Sequence, residues 1–280
     1  MDDMMNVASC KIGYSYTIPY YGAEEEYMEQ QRRSVALVTG GSRGIGAATA
    51  IALAERGYDV VITYRNKAAR ADEVVTHITQ RGGRGLALAS DVTQRMDVER
   101  LFVQVKAWGG HLDLLILNAS GGLERDLVAA DPQYPMHINR DAQLALVDGA
   151  LPLMVAGGTV VFVTSHWAHL YGQVEQIPAY APVGESKYAG EQALRQRQPE
   201  LTEKGIRLIV VTGDLVDGTI TPKLLERSAP SVIDQRRHAM GQLPTATEMG
   251  EAIAVAATDA TLPGGHTVVV GGSLESLLSL

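Results

Sequence analysis

Eight consecutive residues, Thr39-Gly40-Gly41-Ser42-Arg43-Gly44-Ile45-Gly46, have the composition of a phosphate cradle. Glycine lets backbone N–H groups approach an anion closely, and a helix beginning near Gly44 adds the positive end of its dipole. The spacing is Gly-x-x-x-Gly-x-Gly and not the commoner Gly-x-Gly-x-x-Gly, but the flanks are those a dinucleotide site requires. The apolar run Ser34-Val35-Ala36-Leu37-Val38 precedes the turn and an alanine-rich stretch follows it. A site for NAD usually places Asp or Glu after the second strand, against the ribose hydroxyls. Thr63-Tyr64-Arg65-Asn66 offers no acid there. Arg65, with Arg43 from the turn, could hold a 2′-phosphate, while Tyr64 or an arginine plane covers the adenine. The bland alternative is two solvated arginines; the missing acid favours NADP(H).

A second group of reactive side chains lies between residues 165 and 187. Ser165 is followed directly by His166, Trp167, His169 and Tyr171, with Tyr180 and Lys187 further on. A histidine there titrates near neutrality and could act as an acid or as a donor to a substrate. The alternative is that Trp167 and Tyr171 wall an apolar pocket and the histidines are satisfied locally. Ser90-Asp91-Val92-Thr93 offers a carboxylate for an adenine amino group, or only a helix cap. Leu117-Asn118-Ala119-Ser120-Gly121-Gly122 is a run small enough to pass beside a ribose, or an ordinary turn.

These residues need a frame, and the apolar patterning supplies one. Val35–Val38, Val60–Thr63, Leu86–Leu88, Leu112–Leu117, Val160–Thr164, Leu208–Val211 and Val268–Val270 read as strands, mostly continuous in apolarity, as parallel strands buried on both faces are. Helical patterns lie between them near 44–56, 67–81, 94–108, 136–155, 183–204 and 246–258, several closed by glycine, as at Gly57 and Gly205. The expected architecture is α/β: one Rossmann-type doubly wound parallel sheet of about seven strands, helices on both faces, with its ligand outside the carboxyl ends of the strands. Residues 214–245 form an insertion where a substrate lid could form. Within it Arg227, Arg236, Arg237 and His238 read as the wet side of lid helices, or more sharply as a grip on an acidic or thioester-linked substrate.

Composition narrows the classes further. A chain of 280 residues with 46% hydrophobic and 20% charged side chains buries a large core without metal or disulfide. Its net charge of −8 argues against nucleic acid and anionic membrane as partners, so any anion must be held by a local group of donors. The single cysteine, Cys10, fits a reducing compartment. Asp2 and Asp3 stand where a secretory signal would carry Lys or Arg, and the chain reads as cytoplasmic. Residues 1–33 fall outside the periodic pattern, and residues 34–280 form the nucleotide-binding domain. This N-terminal extension, with Tyr14, Tyr16, Tyr20 and Tyr21, reads as a non-native leader or as an arm on a neighbouring subunit.

The order of these motifs resembles the short-chain dehydrogenase/reductase superfamily over about residues 34 to 272. Thr39-Gly40 with Gly44 and Gly46 is similar to that family's cofactor turn, Asp91 to its adenine contact, and Asn118-Ala119-Ser120-Gly121 to its Asn-Asn-Ala-Gly element. The resemblance implies that Asn139, in Ile138-Asn139-Arg140-Asp141, carries a proton-relay water and that Ser165 is the catalytic serine. It implies further that Thr212-Gly213 stands in for the Pro-Gly, and Thr219 or Thr221 for the threonine, that contact the nicotinamide. It implies a homodimer or homotetramer acting on a small molecule, an NADPH-dependent reductase of a carbonyl or imine.

One position departs from the pattern. The family's tyrosine stands four residues before its lysine, a single helical turn or roughly 6 Å away. Ser186-Lys187 matches the end of that motif, but four residues before Lys187 stands Val183, which cannot transfer a proton. Tyr180, seven residues before Lys187, is the nearest phenol. Pro182 suits the first turn of the helix and leaves Tyr180 on the incoming loop. Two readings stay open: a relocated tyrosine, or no tyrosine acid at all, with the proton from His166, His169 or water. The second reading admits a protein that binds NADP to sense or scaffold without hydride transfer.

Overall fold

The computed structural model describes residues 32–225, 234, 236–238 and 242–278. Residues 34–280 constitute one compact unit, while the extension read at residues 1–33 lies outside the described residues apart from Arg32 and Arg33. Seven strands form one sheet: β1 (Val35–Val38), β2 (Asp59–Tyr64), β3 (Gly85–Ala89), β4 (Leu112–Leu117), β5 (Met154–Ser165), β6 (Arg207–Gly213) and β7 (Thr267–Val270). Their order is β3-β2-β1-β4-β5-β6-β7, and every pair is parallel. The order reverses between β1 and β4, which opens the crevice at which such sheets bind their ligands.

Side chains alternate across a strand, so a run apolar throughout feeds two cores at once. Leu37, Leu115 and Phe162 enter the cluster on one face; Val38, Ile116 and Val161 enter the cluster on the other. Helices α1 (Gly44–Glu55) and α2 (Ala68–Gln80) cover the second face. Helices α3 (Arg95–Gly109), α4 (Ala142–Ala150) and α5 (Ala181–Gln196) cover the first, through residues such as Leu101, Leu146 and Leu194. Helix α6 (Ala246–Thr258) returns to the second face, beside α1. The alanines of α1 have a steric purpose: a Cβ on Gly250 would stand 2.6 Å from the Ala48 Cβ, so the two helices meet only because both surfaces are small.

The helix expected over 136–155 differs from what forms. A short turn at Tyr134–Met136 runs into a π turn at His137–Asp141 and then into α4, which stops at Ala150. Met154 onward is already strand, because Leu112 pairs with Met154 and Gly157, at φ +86°, allows the irregularity before Thr159. The stretch 183–204 is two helices, α5 and a short one at Gln198–Glu203. Of the span read as a lid insertion, Ile220–Leu225 is helical and Asp217 bridges to Thr245. Arg227 lies outside the described residues. Among the described residues no helix is long and apolar enough to cross a membrane.

Candidate active site

Because all strands run parallel, the residues that follow them gather along one edge of the sheet. At the end of β1 the glycine turn folds back on itself and on the end of β4. Gly40 and Gly44 take positive φ, +67° and +54°, which side chains resist. A Cβ on Gly46 would lie 2.5 Å from both Asn118 Nδ2 and the Gly40 carbonyl oxygen, and one on Gly40 would crowd the Ala119 Cα at 3.1 Å. The start of α1 carries no acidic residue and no side-chain cap from Arg43, so its leading N–H groups face outward without a competing carboxylate. Ser42 and Ile45 are half-buried in this turn, and Arg43 is exposed at its rim.

Thr39 locks the turn to the β4 exit. Its hydroxyl donates to the Ile116 carbonyl at 3.1 Å and accepts from the backbone N–H of Asn118 and of Ala119, both at 3.0 Å. Asn118 Nδ2 donates back to the Thr39 carbonyl at 2.9 Å. Thus the small residues after β4 are built into the cradle's wall, and only Ser120 is exposed. At the adenosine end Tyr64 is half-buried, while Arg65 and Asn66 are exposed. Arg65 Nη1 donates to the hydroxyl of Tyr134 at 3.0 Å, a partner no sequence motif announces. One carboxylate oxygen of Asp91 accepts from the Thr93 backbone at 3.0 Å and from its hydroxyl at 2.7 Å. Asp91 therefore forms the local turn while keeping a second oxygen; the helix itself starts two residues beyond Thr93, at Arg95. Val92 is buried in the core cluster, so its side chain turns away from the crevice.

The strand ends β5 and β6 carry the reactive group. Ser165 Oγ and the Tyr180 hydroxyl lie 2.9 Å apart. Two local devices place them. Ser165 is the N-cap of the short helix His166–His169, its Oγ accepting from the Ala168 backbone at 3.2 Å. Tyr180 is the N-cap residue of α5, with Pro182 in the first turn as expected. The loop between them is pulled inward by Trp167, Leu170 and Ile177, which share one apolar cluster with Tyr180 and Val183. Burial pushes the Tyr180 phenol up to about 12, the Ser165 hydrogen bond offsetting part of the rise. Such a phenol keeps its proton throughout the neutral range.

Lys187 lies on α5 and donates through Nζ to the Val163 carbonyl at 3.2 Å, two residues before Ser165 on β5. Burial lowers it to about 8, well under an ordinary lysine. Asn139 is buried in the π turn, where its Nδ2 donates to the Gly121 carbonyl at 2.9 Å and to Ser186 Oγ at 3.0 Å. Its side chain thus ties the β4 exit to the residue before Lys187. In the sequence Ser186 was legible only as the motif residue beside the lysine; its contact with Asn139 comes from the tertiary structure. Gly213 ends β6 against Met249, and Thr219 Cγ2 comes within 3.9 Å of where a Gly44 Cβ would be. The structure brings Thr219 to the cradle.

The histidines take the local reading. Wholly buried His166 bridges Thr212 Oγ1 at 3.0 Å and the Gly271 carbonyl at 2.7 Å, and burial lowers its pKa. His169 Nδ1 faces both oxygens of buried Glu191 at 2.9 Å, and Arg195 reaches the same carboxylate. His166 is engaged through both ring nitrogens and His169 through Nδ1, each by partners outside the Ser165–Tyr180 pair. Arg236 corrects the reading of a wet lid face: it is buried, ion-paired with Asp214, and stacked 5.4 Å over the Trp167 ring. Arg237 and His238 are exposed as read. Among the described residues no cluster has the makings of a metal site.

A doubly wound parallel sheet with a glycine cradle at its switch point defines a Rossmann-type α/β protein. The chain belongs to the short chain dehydrogenase family, whose sequence pattern matches residues 34–228. It is 35% identical over 192 residues to 1-cyclohexenylcarbonyl-CoA reductase from Streptomyces collinus, covering 66% of each chain. It is 34% identical over 172 residues to a hydroxynaphthalene reductase-like protein from Metarhizium majus, covering 60% of this chain and 63% of that one. The matched region therefore spans slightly under two thirds of these relatives. Among solved structures, a short chain dehydrogenase from Burkholderia cenocepacia in complex with NADP aligns with a TM-score of 0.75 at 28% identity, covering 86% of this chain and 98% of that one.

Proposed function

We propose that the protein is a cytoplasmic NADPH-dependent reductase, active as a homodimer or homotetramer, that reduces the carbonyl or imine of a small molecule. The observation that carries this reading is the 2.9 Å contact between Ser165 and Tyr180 at the end of β5. NADPH, when bound, supplies the hydride. The glycine turn suits its pyrophosphate, since side chains are sterically barred where the phosphates would approach and the helix behind carries no acid. Arg43 and Arg65, with no carboxylate beside them after β2, suit the 2′-phosphate, and the NADP-bound relative from Burkholderia cenocepacia supports the same choice.

On the substrate side Tyr180 gives its phenolic proton to the oxygen or nitrogen that gains charge, and Ser165 gives it a second hydrogen bond. The raised pKa suits Tyr180 to act as an acid and not as a standing base. Lys187 places a cation on the adjoining helix face, and Asn139 holds Ser186 and the β4 exit around it. A binder without chemistry would have no use for a half-buried serine hydroxyl held against a buried phenol, which weighs against a sensor or scaffold. The Streptomyces collinus relative is named for a conjugated thioester, whose carbonyl oxygen the same two hydroxyls would polarise.

The test is NADPH consumption with a panel of cyclic ketones, aryl ketones, cyclic imines and conjugated thioesters, run with native protein and Tyr180→Phe. Turnover by the native protein that collapses in the variant is the expected result. Tight NADPH binding with no turnover on any member would favour the sensor reading. Preference for NADH over NADPH would remove the cofactor assignment.

A further inference from the structure

Arg65 stands where the ribose-binding acid of an NAD site would be, and its guanidinium does not hang free. It donates to the hydroxyl of Tyr134, a residue 69 positions away on the far side of the β4 exit. Tyr134 is itself held: it is buried, belongs to the core cluster of the first face, and sits at the head of the short turn Tyr134–Met136. Pro135 follows it in that turn and is buried too. Access to the phenol depends on glycine, since a Cβ on Gly121 would stand 3.0 Å from the Tyr134 hydroxyl. Burial raises the phenol's pKa, with the carboxylates of Glu124 and Asp91 adding to the rise and Arg65 opposing it, so the hydroxyl stays protonated and accepts from Arg65.

We infer that Tyr134 is a specificity-determining positioning residue, whose buried hydroxyl holds Arg65 across the adenosine end of the crevice to receive a 2′-phosphate. The physical reason is conformational entropy. An exposed arginine loses much of its rotamer freedom when it clamps an anion. A side chain already tethered by one N–H keeps its remaining donors for the phosphate and has less freedom to lose. Tyr134 reaches across from the β4 exit, so the tether also joins the two edges of the adenosine site. The inference rests on the NADP reading of the site.

The experiment is Tyr134→Phe, which keeps the buried ring and removes one oxygen. Dissociation constants for NADPH and NADH are titrated by cofactor fluorescence for the native protein, Tyr134→Phe, Arg65→Ala and the double variant. The expected result is NADPH binding weakened roughly three- to tenfold in Tyr134→Phe, the usual size of one lost hydrogen bond. NADH binding is unchanged, and Tyr134→Phe has no further effect once Arg65 is alanine. Equal weakening toward both cofactors would mean a structural role for the phenol and overturn the inference. So would unchanged or tighter NADPH binding, the latter showing that the bond must break before cofactor enters. If the native protein itself prefers NADH, the NADP reading fails, a result separable from all of these.

Discussion

Val183 packs against Gly122 so closely that a Cβ on the glycine would stand 3.0 Å from Val183 Cγ2, with Pro135 Cβ equally near. Val183, four residues before Lys187, is therefore packed from the β4 exit and buried there. Gly122 holds φ +113°, so the loop cannot give way by accepting an ordinary residue.

A larger side chain at buried Val183 would press on Gly122, which its Cγ2 already approaches closely. Val183→Tyr is expected to destabilise the fold by about 1–3 kcal/mol through overpacking, read from urea unfolding. In a Tyr180→Phe background it should restore no turnover. Recovery of NADPH oxidation in the double variant would mean that a tyrosine at 183 reaches the site, and Tyr180 would lose its assigned role.

The hydroxyl pair predicts unequal losses. Tyr180→Phe removes the acid and should lower kcat by about 10²–10⁴-fold, the usual range for one positioned proton donor. Ser165→Ala removes one hydrogen bond to the developing charge and also the N-cap of the following turn, so it should cost about 10²–10³-fold in kcat. Steady-state kinetics on one accepted substrate decides both, with NADPH titration checking that the cofactor still binds.

Lys187 and Tyr180 set a pH dependence of definite sign. The reductive rate should fall as pH rises through about 8, where Lys187 loses its proton, while Tyr180 stays protonated to about 12. Stability moves the opposite way. Folding depresses the lysine, so between about pH 8 and its ordinary 10.5 the unfolded chain binds more protons, and stability rises with pH over that window. Tyr180, raised on folding, reverses the trend above about pH 10. Lys187→Met should lose the rise between pH 8 and 10 in chemical unfolding while abolishing turnover; an unchanged slope would show that the lysine is not desolvated.

The Asp214–Arg236 pair is buried on both sides. Asp214→Asn leaves a guanidinium in the interior and should cost about 3–5 kcal/mol. Replacing both residues with Leu and Met should recover most of that loss, because the desolvated charge is then gone. Urea midpoints for the two variants and the native protein test it; an Asp214→Asn variant as stable as the native protein would show that Arg236 escapes to water.

The frame was legible in the residue order. Strand runs apolar throughout mean burial on two faces, alternation with helices means parallel pairing, and parallel pairing puts every strand exit on one edge; each step is local or follows from chain connectivity. The cradle was legible too, because glycine at Gly40, Gly44 and Gly46 reports backbone shape directly. The ends of elements were not: the π turn before α4 and the early start of β5 come from tertiary pairing that no local period encodes.

The contact between Tyr180 and Ser165 belonged to the tertiary structure alone. The residue type at Val183 excluded it as a proton donor but left open a relocated Tyr180 or no tyrosine acid at all, since a loop's side-chain directions depend on what its apolar residues bury against. Trp167 and Ile177 pack inward in the same apolar cluster as Tyr180, whose hydroxyl meets a serine fifteen residues earlier. The histidines are taken up by Thr212, Gly271 and Glu191, up to 105 residues away, and Arg236 by Asp214. Sequence determines which groups are available and along which edge they emerge; packing between distant segments determines which remain free to meet a substrate.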